Sequence, residues 1–137
     1  MTQVQDILKK AGLKATPVRT QVLEVILSSQ HAIDQGQIEA RSGHIDRITL
    51  YRTLKSFEEK GLIHKITDTK ANVKYAGCKS ECVEHRHHHD NHMHFECEDC
   101  HNTFCLEENT IPQLAVPGKF QVKEINITMK GKCEECQ

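Results

Sequence analysis

Residues 46–67 read DRITLYRTLKSFEEKGLIHKIT, and the hydrophobic period of this stretch changes at Gly61. Before this glycine, three apolar side chains recur at the spacing of one helix face: Leu50, Leu54 and Phe57. Asp46 can cap that helix, and Gly61 suits its C-terminal end. After Gly61, the pattern predicts a strand over 62–67 and, beyond a polar turn, a second strand over 73–76. The stretch therefore predicts a helix followed by a β-hairpin.

Three shorter helical patterns precede it. The first covers 4–11 and ends at Gly12, while Thr16-Pro17 is typical of the start of the second. Asp34 is the predicted cap of the third, which continues to about residue 40. Helices followed by a hairpin are typical of a winged helix-turn-helix, whose last helix enters the DNA major groove. The outward side chains of the last helix then form either a DNA-binding face or an ordinary solvated face: Tyr51, Arg52 and Lys55.

Two Cys-x-x-Cys pairs lie in the last third of the chain, Cys97 with Cys100 and Cys133 with Cys136. Four thiolates at this spacing are typical of a closed tetrahedral zinc site. The gap between the pairs accommodates two strands, so the ion would join the C-terminus to its domain. A site of this kind should stay loaded, because its binding free energy is also folding free energy.

The cysteine distribution also indicates the compartment. All seven cysteines lie between Cys78 and Cys136, and the N-terminus is polar. An odd number of cysteines without a signal peptide argues against a secreted disulfide scaffold. No stretch approaches about 18 apolar residues, so no membrane span is predicted. We therefore expect a cytoplasmic protein with reduced thiols and no membrane partner.

Charge and histidine content divide the chain in two. Residues 1–75 carry 12 Lys/Arg against 8 Asp/Glu, whereas residues 76–137 carry 6 against 11. Seven of the ten histidines lie in the second part. This division favours a mildly basic unit followed by an acidic, metal-binding unit.

Five motifs, distributed in order along nearly the whole chain, resemble the ferric uptake regulator family. GLKATPVR (12–19), ITLYRTL (48–54) and FEEKGLI (57–63) are similar to its DNA-binding domain. The spacing His-x-His-x-x-Cys-x-x-Cys (92–100) and Gly-x-Cys-x-x-Cys (131–136) is similar to its dimerisation domain.

The resemblance implies an α+β fold. It places an N-terminal winged helix-turn-helix domain at 1–75, a hinge with a histidine-rich loop at 76–90, and a small C-terminal α/β metal-binding dimerisation domain at 91–137. It further implies a homodimeric, metal-dependent transcription factor, usually a repressor of metal-homeostasis genes. Such a protein binds a palindromic operator in double-stranded DNA; it is not an enzyme and takes no small organic substrate.

The resemblance also implies DNA contacts. Tyr51 and Arg52 match the recognition-helix pair of the family, with Tyr51 against thymine methyls and Arg52 on phosphate or a base edge. Lys14 matches a lysine that approaches the minor groove. Further backbone contacts are expected from Thr49, Lys55 and Arg19, and from the wing lysines Lys70 and Lys74.

A second, weaker metal site would act as the sensor. His92 and His94 alternate on a predicted strand, so their imidazoles share one side, and they match the two histidines of the family's regulatory site. Cys78 resembles the hinge cysteine of the zinc uptake regulator type, the nearest type within the family. Cys105 lies where many members carry a glutamate ligand. Two sulfurs and two nitrogens favour Zn(II) over Fe(II) or Mn(II).

Other residues leave alternatives open at this site. Cys82 could replace Cys78, and His31 lies one residue before the position, here Ala32, where the family often donates a histidine. The loop histidines form either a solvated loop or a low-affinity metal trap: His85, His87, His88 and His89. Three single histidines are expected to be ordinary surface or packing residues: His44, His64 and His101.

Departures from the family pattern lead to two further expectations. Met93 and Ile125 or Asn126 stand where members carry ligands of an additional metal site, which we expect to be absent. Pro112 and Pro117 disfavour a long helix over 110–118. Dimerisation would then depend on strands such as 120–130.

Four alternative functions are compatible with parts of this sequence pattern. The same fold could sense Fe(II), Mn(II) or peroxide, and Cys78, Cys82 and Cys105 could form a thiol redox sensor. A zinc-buffering or chaperone protein would use the thiols and the histidine loop for storage. A zinc hydrolase would need an open metal position and a base such as Glu96, but no substrate-pocket motif is visible.

Overall fold

The computed structural model describes residues 3–43, 45–77, 91–106, 115–122 and 125–137, with backbone only at 91–92 and 125–126. The helices are α1 (Gln3–Lys10), α2 (Pro17–Ser28), α3 (Gln35–Arg41) and α4 (Arg47–Glu59). The strands are β1 (Ile33–Asp34), β2 (Ile63–Thr67), β3 (Val73–Gly77), β4 (Asn91–Cys97), β5 (Thr103–Cys105) and β6 (Ile125–Gly131). A single 3₁₀ turn, Glu134–Cys136, follows β6.

The helices begin and end where the sequence predicts. Thr16 accepts a hydrogen bond from the backbone N–H of Arg19, with Pro17 at the first helical position of α2. Asp34 forms a capping box with Gln37 at the start of α3. Asp46 accepts from the backbone N–H of Thr49 at 3.0 Å, which caps α4. These caps satisfy N–H groups that have no partner within their own helix.

Two glycines end helices as predicted. Gly12 follows α1 with φ +78°, and Gly61 follows α4 with φ +75°. Only glycine adopts this left-handed conformation without steric cost, so both positions stop a helix and turn the chain.

The first sheet and the four helices share one hydrophobic core. The sheet has the order β1-β3-β2, with both pairs antiparallel. The core contains side chains from all four helices and from this sheet, among them Leu8, Leu23, Ile26, Ile33, Ile38, Leu50, Leu54, Phe57 and Ile63. The helical half with its hairpin is thus the predicted winged arrangement, with β2 and β3 forming the wing. The short strand β1, which no sequence pattern indicated, extends the hairpin to three strands.

The second sheet has the order β5-β4-β6. Strand β4 is antiparallel to β5, with His94 opposite Cys105, and parallel to β6, with Cys97 opposite Gly131. The strand predicted over 120–130 is wrong at its start. The described residues 120–122 are exposed and outside any strand, and β6 begins at Ile125. Pro112 lies outside the described residues.

The two sheets meet along β5. The backbone N–H of Ala32 donates to the carbonyl oxygen of Thr103 at 2.7 Å, which forms an isolated antiparallel bridge. Within the described part of the chain, no helix is both long enough and apolar enough to cross a membrane.

Candidate metal centres and nucleic-acid face

The four cysteines of the two Cys-x-x-Cys pairs converge on one point. The Sγ atoms of Cys97, Cys100, Cys133 and Cys136 all lie within 4.8 Å of one another. The parallel pairing of β4 with β6 causes this convergence, because each pair begins where one of these strands ends. The backbone N–H of Glu98 donates to the carbonyl oxygen of Gly131 at 2.8 Å and continues the pairing into the first knuckle.

Electrostatics in this cluster favours a cation. The backbone N–H groups of Cys100 and Cys133 lie 3.5 and 3.4 Å from Cys97 Sγ, and they lower the pKa of Cys97 to about 6. The neighbouring sulfurs of Cys133 and Cys97 raise the pKa of Cys136 to about 12. One thiolate is therefore stabilised, and further ionisation requires compensating positive charge. A divalent ion supplies that charge, and four thiolates match the ligands of structural zinc.

A second cluster lies between the two sheets. His64 on β2, His94 on β4 and Cys105 on β5 place their ligand atoms within 4.8 Å of one another. His64 Nε2 is 3.1 Å from Cys105 Sγ, and the rings of His64 and His94 have centroids 6.2 Å apart. Both histidines are buried. Buried imidazoles beside a thiol are a suitable donor set for a transition metal.

The cluster both agrees and disagrees with the predicted sensing site. His94 and Cys105 were expected to share a site, and their cross-strand pairing brings them together. His64 was expected to be an ordinary packing or surface residue, and the structure places it in the cluster instead. The side chain of His92, together with all of Cys78 and Cys82, lies outside the described residues, as do His44, His85, His87, His88 and His89.

No spacing rule would have found His64, because it is separated from the His92–Cys105 region by the hinge. The one available signal in the sequence is that His64 lies two residues before the apolar Ile66, on the same face of a predicted strand. In the structure both side chains are buried, whereas Lys65 and Thr67 on the other face are exposed. A buried histidine on a strand needs a polar partner, and here that partner comes from another sheet.

His31 lies outside both clusters formed by the described residues. Its Nδ1 is 3.0 Å from the carbonyl oxygen of Ala32, and its ring packs edge-on against Phe104. The backbone of the next residue, Ala32, forms the isolated β-bridge to Thr103. His31 thus contributes to the contact between the sheets. His101 is exposed, as expected for an ordinary surface residue.

The wing is attached to the second sheet by polar side chains. The Thr69 hydroxyl donates to the Glu96 carboxylate, at 2.8 and 3.0 Å from its two oxygens, and Glu96 is buried. Lys74 Nζ donates to the carbonyl oxygen of His101 at 2.9 Å and contacts Thr103 Oγ1 at 3.2 Å. The expected phosphate contact of Lys74 is therefore not available in this arrangement, whereas Lys70 is exposed. Glu96, considered above as a base, serves here as an acceptor for the wing.

The predicted nucleic-acid face is solvent-accessible. Tyr51, Arg52 and Lys55 are exposed on α4, opposite the buried Leu50 and Leu54.

Two other residues of the predicted DNA-binding set are engaged in local structure. The Thr49 hydroxyl donates to the carboxylate of Asp46, so it takes part in the helix cap. Arg19 Nη1 donates to the carbonyl oxygen of Lys14 at 3.0 Å and so holds the segment that precedes α2.

Comparisons with known proteins agree with this architecture. The model of the ferric uptake regulator family matches residues 10–130. The ferric uptake regulation protein of Escherichia coli K12 is 30% identical, with 98% of this chain and 91% of that protein covered. The peroxide operon regulator of Bacillus subtilis 168 is 26% identical, with 99% and 92% covered. The crystal structure of the Vibrio cholerae ferric uptake regulator has the same fold, at a TM-score of 0.60 and 22% identity, with 94% and 98% covered.

Proposed function

The chain belongs to the ferric uptake regulator family of metal-responsive transcriptional regulators, and we propose that the ion it senses is Zn(II). We further propose that it acts as a homodimeric repressor on a palindromic operator. The two curated relatives described above are named for iron uptake and for peroxide. The choice of zinc therefore depends on the chemistry of this chain's own side chains.

The donor set of the second cluster supports zinc. His64, His94 and Cys105 offer two imidazole nitrogens and one thiolate. Thiolates and imidazoles suit Zn(II), whereas Fe(II) and Mn(II) sites contain more oxygen ligands and higher coordination numbers. Glu96 is a buried carboxylate two residues after His94 in sequence. It accepts a hydrogen bond from Thr69 of the wing and is not among the donors of the cluster, so it adds no oxygen ligand there.

Four ligands complete a tetrahedral zinc site, and the cluster supplies three. We propose that Cys78, Cys82 or His92 provides the fourth, because each lies between β3 and the ligand His94 in sequence. The four-cysteine cluster would hold a separate structural zinc, whose affinity contributes to folding of the second sheet.

The position of the cluster suggests how sensing reaches DNA. His64 belongs to the wing, whereas His94 and Cys105 belong to the second sheet. A bound zinc supplies a fixed link among these side chains. With the three side chains held together, the wing and α4 keep one orientation relative to the second sheet. In a dimer, that orientation determines the separation of the two recognition helices, and only one separation matches two half-sites.

This mechanism requires positive coupling between metal and operator. Coupling free energies of this kind are typically about 1–3 kcal/mol, or about 5- to 150-fold in affinity. We propose that operator contacts come from Tyr51, Arg52 and Lys55 on α4 and from Lys14, with Arg19 and Thr49 supporting the backbone around them.

An operator titration under reducing, anaerobic conditions tests the choice of ion. Protein with one structural zinc per chain is titrated separately with Zn(II), Fe(II) and Mn(II), and binding to a labelled operator is measured. Zinc-specific tightening that is absent in His64→Ala and present in His101→Asn would support zinc sensing through this cluster. His101→Asn is a matched control, since His101 is exposed with φ +64°, a conformation that asparagine tolerates.

Two outcomes would contradict the proposal in different ways. Tightening by Fe(II) or Mn(II), with zinc needed only at the four cysteines, would keep the family and reject the ion. Tight zinc binding by a protein for which no high-affinity operator can be found would favour the zinc-buffering function instead.

A further inference from the structure

Ile48 has an unusual position for a large aliphatic side chain. It is the second residue of α4 and is 65% exposed. Tyr51, one helical turn further on, is 53% exposed. The other exposed large apolar residues described in the helical half and its wing are less accessible: Leu27 at 36% and Val73 at 37%.

Ile48 completes a regular stripe along α4. Ile48, Tyr51, Arg52 and Lys55 are spaced i, i+3, i+4 and i+7, and all four are exposed. This spacing defines one continuous face of a helix. The opposite face is already buried in the core through Leu50, Thr53, Leu54 and Phe57. The core therefore gives no reason for an isoleucine on the outer face.

The surroundings of Ile48 indicate its partner. Arg47 precedes it with a side chain that is 85% exposed and lies 3.8 Å from the Glu39 carboxylate, and Arg52 and Lys55 continue the stripe. The face therefore combines two apolar side chains, Ile48 and Tyr51, with neighbouring cations. Such a face is complementary to a polyanion that also carries apolar groups. In the DNA major groove, the apolar group on the base edges is the thymine methyl.

The geometry of the pair also fits DNA. The N-terminal residues of a recognition helix contact base edges, and Ile48 is closer to the N-terminus of α4 than Tyr51. Side chains three positions apart on a helix have Cβ atoms about 5–6 Å apart. Bases on one strand rise about 3.4 Å per step. The pair can therefore cover two thymines that are adjacent or separated by one base.

We propose that Ile48 is a specificity-determining residue that contacts a thymine methyl distinct from the one contacted by Tyr51. Each half-site then requires two thymines, one for each apolar side chain. This inference rests on the proposed operator binding, because it assigns a second base contact to the same helix. It adds a specificity position to the predicted set of Tyr51 and Arg52.

The test removes single methyl groups from the DNA. A duplex is first selected from a random-sequence pool by the zinc-loaded protein, and each thymine is then replaced by uracil in turn. Affinity is measured by fluorescence anisotropy for the wild type, Ile48→Ala, Tyr51→Ala and Val73→Ala. Val73→Ala is the matched control, since it shortens an exposed aliphatic side chain on the wing.

The wild type should lose about fourfold in affinity at each of two thymines per half-site, the factor expected for one buried methyl group. Ile48→Ala should abolish the loss at one of these thymines, Tyr51→Ala should abolish it at the other, and Val73→Ala should abolish neither. Alanine favours helix more than isoleucine does, so Ile48→Ala should remain folded, which circular dichroism checks.

Two results would overturn the inference, and they are distinguishable. A selected duplex with the same uracil sensitivity for the wild type and Ile48→Ala would reject the role of Ile48 alone. Selection of no duplex at all would reject operator binding together with this inference.

Discussion

His64 Nε2 lies 3.1 Å from Cys105 Sγ, although the two residues are 41 positions apart in sequence. The contact joins the wing to the edge strand of the second sheet, beside His94 on the neighbouring strand. Because His64 belongs to the wing, a metal ion held by this cluster would be linked directly to the DNA-binding half.

Replacing His64 should abolish metal binding at the second cluster and leave metal binding at the four cysteines unchanged. His64→Ala removes one of the three described donors of the second cluster, so that even with the proposed fourth ligand the site falls short of the four protein ligands of a closed tetrahedral ion. Cobalt titration, followed by thiolate-to-metal charge-transfer absorption, should show two binding events per chain in the wild type and one in the variant. The metal dependence of operator affinity should fall from about 5- to 150-fold towards onefold. Two cobalt events in His64→Ala would exclude His64 as a ligand.

Cys133→Ser should unfold the second sheet while leaving the helical core intact. Cys133 is buried and is one of the four cysteines of the cluster. Loss of one thiolate should remove most of the zinc-binding free energy that stabilises the fold of this region. Amide hydrogen exchange should become fast in β4 and β6 and remain slow in α4. Cys105→Ser is the control, since Cys105 lies outside the four-cysteine cluster and should retain one zinc and full protection. Protected β4 amides in zinc-free Cys133→Ser would contradict a structural role for this ion.

The two wing lysines should differ in their effect on DNA binding. Lys74 is engaged with His101 and Thr103, whereas Lys70 is exposed at the wing tip. Lys70→Met should reduce the slope of log affinity against log salt by about one, the value for a lost phosphate contact. Lys74→Met should leave the slope unchanged and increase amide exchange in the wing. A reduced slope in Lys74→Met would show that the wing leaves the second sheet on binding DNA.

Tyr51→Ala and Arg52→Ala should weaken operator binding without unfolding the protein. Both side chains are exposed, so their removal creates no cavity in the core. Loss of a good contact to a base costs about 1–3 kcal/mol of discrimination, or about 5- to 150-fold in affinity. Gel-shift titration measures the loss, and sedimentation checks that the oligomeric state is the same as in the wild type. Unchanged affinity in either variant would remove that residue from the DNA-binding face.

The cap of α4 should make stability depend on pH at the acid end. Hydrogen bonds from the Thr49 hydroxyl and backbone N–H hold the pKa of Asp46 below its usual value. A carboxylate with a lowered folded-state pKa stabilises the protein above its unfolded-state pKa, near 3.9. That contribution is lost as the pH falls through the folded-state pKa.

Urea denaturation of the wild type and Asp46→Asn at a series of pH values tests this dependence. Asparagine keeps an acceptor for the cap but does not titrate in this range. Asp46 belongs to neither metal cluster, so zinc release at low pH should affect both proteins equally. The stability difference between them should shrink as the pH is lowered below about 4. A constant difference across this range would show that Asp46 titrates as it does in the unfolded chain.

Local signals accounted for most of the helical half. Thr16, Asp34 and Asp46 cap the helices that their positions predicted, and Gly12 and Gly61 end the helices before them. These features depend on hydrogen bonds and backbone conformations within a few residues, which a sequence displays directly. The four-cysteine cluster was equally predictable, because each Cys-x-x-Cys pair is a local unit with one common chemistry.

Non-local pairing decided the rest. The parallel alignment of β4 with β6 brings the two cysteine pairs together, and β5 is contacted by Ala32, Lys74 and His64 from the helical half. No periodicity indicates these partners, since strand register and contacts between sheets depend on packing across long stretches of chain.

The sequence by itself determined the family, the winged helical half, the four-cysteine site and the outward face of α4. Each of these is encoded by residues that are close together or by a motif with one stable geometry. The tertiary structure alone decided that His64 joins His94 and Cys105 and that Lys74 is directed to the second sheet rather than to solvent. It also showed that Ile48 is exposed. The physical reason is that the burial of a side chain and the identity of its partner depend on which segments pack against each other. The two segments that form such a contact are far apart in sequence, so neither segment alone predicts it.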